Sequence, residues 1–125
     1  MKTGIVLVAH GSPSQSANEE LLQIVKLLET TGEYQVIQPA YLESAEPDIP
    51  TGIELCIDRG AEQILVVPYF LLAGTHAREE LPRYVALARK KHSSVPIRLA
   101  ETIGYHPALA EIILDRIKEL KTADH

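Results

Sequence analysis

Apolar and polar positions along this chain fall into four rounds of one pattern, a short and nearly unbroken apolar run followed by a longer stretch with helical spacing. The first run, TGIVLVA at residues 3–9, is continuous rather than alternating, as expected of a strand covered on both faces. NEELLQIVKLLETTG follows, with Leu21, Val25 and Leu28 on one helical face and Gly32 as a stop signal. YQVIQPAYL (34–42) reads as the second strand. Pro39, which has no N–H to give to a ladder, assigns it to a sheet edge or a bulge. DIPTGIELCIDRG is the second helix, with Pro50 in its first turn and Gly60 at its end. EQILVVPYFLL (62–72) is the most apolar segment and is predicted to be a central strand, with Pro68 near its end or at a bulge. AREELPRYVALARKKH is helical by Leu81, Val85 and Ala88, with a start or kink at Pro82. The fourth pair is PIRLAET (96–102) and PALAEIILDRIKEL (107–120). In that last helix Leu109, Ile113, Ile117 and Leu120 form an apolar stripe, Pro107 suits the first turn, and the tail KTADH is expected to be loose.

Strict strand–helix alternation predicts an α/β fold: an open four-stranded parallel sheet with helices on both faces, right-handed crossovers and the flavodoxin-like strand order 2-1-3-4. The 125 residues are expected to form a single domain, 1–125, without linkers or repeats. Such a chain buries roughly two-thirds of its unfolded surface.

Composition narrows the function classes. A hydrophobic content of 46% with 23% charged residues is that of a soluble globular protein. No apolar run approaches the roughly 18 residues of a membrane span, and the short run after Lys2 is not a secretory signal. A single cysteine, Cys56, allows no internal disulfide and fits a reducing cytoplasm. Lying between Leu55 and Ile57, it reads as a core thiol. A net charge of −5 argues against a nucleic-acid partner.

In open parallel sheets, ligands bind outside the carboxyl ends of the strands, so the residues just past each strand carry the interest. They are His10 after the first, Glu43 in YLESAEPD after the second, His76 in AGTHAREE after the third and His106 in TIGYHP after the fourth. His92 falls at the opposite edge and His125 in the tail. Singly, each has a plainer reading: a cap or a solvated side chain for a histidine, helix-dipole decoration for Glu43, and the fourth helix's N-terminus for His106. Two histidines and a carboxylate on one rim are a different matter, because neutral imidazoles with a carboxylate suit Fe, Co, Ni or Zn. If the first and third strands are neighbours, His10 and His76 face each other across a cleft. Gly11 and Gly74 would let the backbone come close to a ligand. Other motifs fall away. No G-x-S-x-G elbow accompanies HGS, and Ser12, Ser14 and Ser16 could cradle a phosphate but come without a Walker lysine or G-x-G-x-x-G.

The segments LVAHGS, YLESAEPDI, VVPYFLLAGTHAREELP and IGYHPALAEII, taken together, resemble the sirohydrochlorin chelatase family from about residue 3 to about residue 120. These are class II chelatases that insert cobalt or iron in cobalamin and siroheme synthesis. The resemblance implies a short-form, flavodoxin-like half-unit that forms a homodimer. It implies sirohydrochlorin as substrate, Co²⁺ or Fe²⁺ as co-substrate with Ni²⁺ also admitted, no prosthetic group, and release of two protons. It places the metal on His10 and His76 and the helping carboxylate on Glu43. The chemistry is consistent: an ion that must leave for a macrocycle needs few, exchangeable ligands, and pyrrole protons need a nearby base. Tyr69, Leu71, Leu72 and Tyr105 are expected as walls for the ring. Ser12, Arg78 and backbone amides near Ser12 and Ser14 are expected to take its carboxylates; Arg83 and Arg98 read as surface charges. Two other readings remain open, a non-catalytic metal-binding or delivery protein and a small phosphoester hydrolase built on His10 and Ser12.

Overall fold

A computed structural model of the chain describes residues 1–72 and 74–123. Its elements alternate as β1 (Thr3–Ala9), α1 (Gln15–Thr30), β2 (Val36–Tyr41), α2 (Ile49–Asp58), β3 (Gln63–Pro68), α3 (Thr75–Lys91), β4 (Ile97–Leu99) and α4 (Ala108–Ala123). The strands form one parallel sheet in the order β2-β1-β3-β4, the order expected of the pattern. Both prolines behave as their chemistry requires. Pro39 sits in β2, an edge strand, and Pro68 is the last residue of β3, so neither breaks an interior ladder.

Alternate residues of each strand point to opposite faces and build two cores. On one face Val6, Val8, Ala40, Ile64, Val66 and their neighbours pack against α2 and α3. On the other, Ile5, Leu7, Ile37 and Tyr41 pack against Leu21 and Val25 of α1. Contact on the first face is close: a Cβ built on Gly52 would lie 2.9 Å from the Cβ of Ala40, so only glycine lets α2 approach β2 this tightly.

Three expectations need correction. Of the start or kink expected at Pro82, the start is overturned: α3 begins at Thr75 and runs through it. The missing N–H of Pro82 leaves the carbonyl of Arg78, four residues back, without its helical partner. Residues Lys121–Ala123, expected to be loose, continue α4, while Asp124 and His125 lie outside the described residues. The third correction concerns α4 itself. Its apolar stripe exists, but Ile113, Ile117 and Leu120 are 60%, 43% and 69% exposed, and α4 does not pack along the sheet as α1, α2 and α3 do. On the α1 face, Leu65 and Val67 of β3 are only partly buried.

Candidate metal-handling site

His10 stands where β1 leaves the sheet and Glu43 where the chain leaves β2, and because β1 and β2 are neighbours the two arrive side by side. The backbone continues the ladder past the strand ends. Leu42 N–H donates to Ala9 C=O at 3.0 Å, and Glu43 N–H donates to His10 C=O at 3.0 Å. Gly11 makes that approach possible, because it holds φ at +96° and a Cβ there would sit 1.8 Å from the carbonyl oxygen of Glu43. The side chains then meet: His10 Nε2 lies 2.8 Å from Glu43 Oε1. A carboxylate held on one ring nitrogen orients the imidazole and, in the neutral form, leaves Nδ1 with the lone pair.

The floor beneath this pair is apolar. Phe70, buried in the segment after β3, meets the His10 ring edge to face with centroids 6.2 Å apart and planes at 69°. Its carbonyl accepts the N–H of Ile103 at 3.0 Å, which ties the loop after β4 to the loop after β3. Nothing in the apolar run YFLL distinguished Phe70 from its neighbours.

His76 is the second residue of α3 and lies exposed at the same carboxyl edge as His10, since β1 pairs with β3. Its side chain has no hydrogen-bond partner among the described residues, and no three His, Cys, Asp or Glu side chains among them converge on one point. The histidine–carboxylate pair is therefore assembled within this chain, and His76 stands apart from it. His106 takes its plainer role, with Nδ1 accepting the N–H of Ala108 at the start of α4 at 3.0 Å. Cys56 is fully buried between α2 and the sheet, away from the rim, and burial pushes its thiol up to about 11.

The substrate-binding expectations divide. Arg78 lines a cavity of about 430 Å³ with Leu71, Leu72, Leu99, Glu101 and Thr102, and has no ion-pair partner among the described residues. Leu72 and Tyr105 are 83% and 92% exposed, apolar surface standing free at the rim. The amides of Ser12 and Ser14 themselves are bonded within the loop and to α1 and are not available as anion donors. Ser12 N–H donates to Asn18 Oδ1 at 3.0 Å and Ser14 N–H to Ser12 Oγ at 3.0 Å. What Ser12 keeps for a ligand is its hydroxyl proton.

Comparison with known proteins completes the picture. The chain is 34% identical over 115 residues to the chloroplastic sirohydrochlorin ferrochelatase of Arabidopsis thaliana, an alignment covering 92% of this chain and 51% of that protein. It thus spans about half the length of that curated relative. The fold matches the CbiX protein from Marinobacter aquaeolei VT8 with a TM-score of 0.82 and 35% identity, covering 100% of both chains. It also matches the sirohydrochlorin chelatase SirB from Bacillus subtilis subspecies spizizenii, in complex with cobalt, with a TM-score of 0.87 and 32% identity over 95% of this chain and 51% of that one. The family model CbiX covers residues 4–120, a span holding the sheet except for Thr3 at the start of β1 and both members of the His10–Glu43 pair, and the chain belongs to the CbiX family.

Proposed function

We propose that this protein is a cytoplasmic sirohydrochlorin chelatase, a single chelatase-like domain over 1–125 that inserts Co²⁺ or Fe²⁺ into the tetrapyrrole with release of two protons. The observation that carries the reading is the His10–Glu43 pair, 2.8 Å apart at the carboxyl edge of a CbiX-family sheet. In this reading His10 and His76 receive the incoming ion as a substrate, which requires His76, exposed at the start of α3, to close on the pair from which it stands apart. Two imidazoles hold it loosely enough to give it up, where a set of thiolates would not. Glu43 orients His10 and accepts a proton as the ring nitrogens exchange theirs for the metal. Arg78 and the Ser12 hydroxyl meet the substrate's carboxylates, and Tyr105 with Leu71 and Leu72 lies against the ring. A phosphoester hydrolase on His10 and Ser12 fits less well, because the Ser12 and Ser14 amides are already bonded within the loop. A carrier that binds metal without inserting it uses the same residues and differs only in turnover.

The working unit of this proposal is a homodimer. The exposed stripe of α4 and the half-covered Leu65 and Val67 are apolar surface of the kind a second copy buries. The test is anaerobic: sirohydrochlorin absorption is followed with Co²⁺ or Fe²⁺, with and without catalytic protein. Faster metallation that disappears in His10→Ala supports the chelatase. No acceleration by folded wild-type protein with either ion rejects it and leaves the carrier.

A further inference from the structure

The turn His10–Gly11–Ser12 is pinned from two sides, and only one side belongs to the pair just described. On one, Glu43 N–H holds the carbonyl of His10. On the other, the carboxamide of Asn18, in the first turns of α1, takes both backbone groups of Ser12. Ser12 N–H donates to Asn18 Oδ1 at 3.0 Å, and Asn18 Nδ2 donates to Ser12 C=O at 2.8 Å. The hydroxyl of Tyr41, the last residue of β2, donates to the Asn18 carbonyl at 3.2 Å. One half-buried residue thus joins the helix, the loop carrying His10 and the strand leading to Glu43.

We infer that Asn18 is a positioning residue for His10, an inference that rests on the chelatase reading of the site. The chemistry selects asparagine. The Ser12 backbone needs an acceptor and a donor on one short planar group; aspartate lacks the donor, glutamine is a methylene longer and leucine offers neither. Gly11 makes the clamp necessary. With φ at +96°, glycine is the residue that tolerates this turn, and also the one with most freedom to leave it. Released from Asn18, the Ser12 backbone loses both of its partners on α1. The turn keeps its tie at His10 C=O and the Ser14–Ser12 bond within the loop, and the imidazole loses its fixed approach to Glu43. Misplacement of a reacting group by about 1 Å costs on the order of a hundredfold in rate.

The test uses full-length ¹⁵N-labelled protein and the variant Asn18→Ala. Amide exchange at Ser12 is expected to accelerate about tenfold or more while Val25, inside α1, stays protected. Cobalt insertion should lose about tenfold or more in kcat, with a smaller change in KM for sirohydrochlorin, because Asn18 bonds the backbone of Ser12 and leaves its hydroxyl free. Unchanged Ser12 exchange overturns the clamp. Accelerated exchange with unchanged kcat overturns the positioning role. If Asn18→Ala does not fold, Asn18→Asp, which withdraws only the donor, is judged by the same two readings. If the wild-type chain inserts no metal, the chelatase reading has failed, and the clamp stands or falls on the Ser12 amide alone.

Discussion

Nε2 of His10 lies 2.8 Å from Oε1 of Glu43, with both side chains more than half exposed to solvent. A hydrogen-bonded pair so exposed contributes at most about 1 kcal/mol to stability, so its geometry matters chiefly for chemistry. Glu43→Gln should keep the fold within about 0.5 kcal/mol. It should slow metal insertion by about a hundredfold, the usual worth of a positioned proton acceptor. Urea unfolding and the anaerobic absorption assay measure the two quantities separately. A variant that inserts metal at the wild-type rate would show that the carboxylate has no part in the reaction.

Gly11 is a harder constraint than either member of the pair. An added methyl meets the Glu43 carbonyl at 1.8 Å, and φ of +96° is strained for any residue with a Cβ. Gly11→Ala should therefore cost about 3 kcal/mol, combining the backbone strain with a displaced β1–β2 loop contact. It should also lower activity beyond the loss of folded protein, since Glu43 must move. Denaturant titration alongside insertion by the remaining folded fraction decides this. A stable, fully active Gly11→Ala protein would contradict the close approach.

Much of this was legible along the chain because local chemistry and global fold agree. Pro39 marks an edge and Pro68 an end, and the β-branched runs set the strands. His10 and Glu43 were legible because they come just after strands, where this architecture exposes them. Asn18 was not, since an asparagine near a helix start ordinarily reads as a capping or solvated residue, and its partner lies six positions back in a loop. The Ser12 and Ser14 amides looked free for the same reason: a helix start advertises open N–H groups, and only coordinates show them taken. Periodicity found the α4 stripe correctly but carries no information about what covers it.

Asp48 caps α2, its carboxylate accepting the N–H of Thr51 at 2.9 Å. Those Thr51 hydrogen bonds hold its carboxyl below the usual range. A depressed carboxylate stabilises the fold above its unfolded pKa of about 3.9, and that contribution disappears as pH falls through the folded value. Asp48→Ala should cost about 1 kcal/mol at neutral pH, and the difference from wild type should shrink as the pH falls below about 4. Urea midpoints between pH 7 and pH 3 test it. A difference that is constant across the range would mean that the cap's charge contributes nothing.

Cys56 supplies a probe of the core. Its thiol is completely buried against β1, with Sγ 3.8 Å from the carbonyl of Ile5, and burial pushes it up to about 11. At pH 8 the native protein should resist iodoacetamide, and alkylation should appear only as denaturant unfolds the sheet. Mass spectrometry across a urea series reads this directly. Rapid labelling of native protein would show that α2 opens away from the sheet far more readily than its packing implies.

The last prediction concerns α4, whose Ile112, Ile113, Leu114, Ile117 and Leu120 are all substantially exposed. A stable interface buries about 1,600 Å² in total, an area within reach of two such helices and the surfaces receiving them. Since α2 and α3 cover one face of the sheet and α1 part of the other, the fold of one chain does not depend on this stripe. Ile113→Glu combined with Ile117→Glu should therefore convert a dimer to a monomer while leaving the circular dichroism spectrum and the Cys56 protection intact. Light scattering on the wild type and the double variant decides it. If sirohydrochlorin is gripped between two copies, the monomer should also lose substrate affinity, seen as a raised KM with His10 and Glu43 untouched. A wild type that is monomeric at micromolar concentration, or a double variant that stays dimeric, would remove α4 from the interface and leave its exposed stripe for another partner.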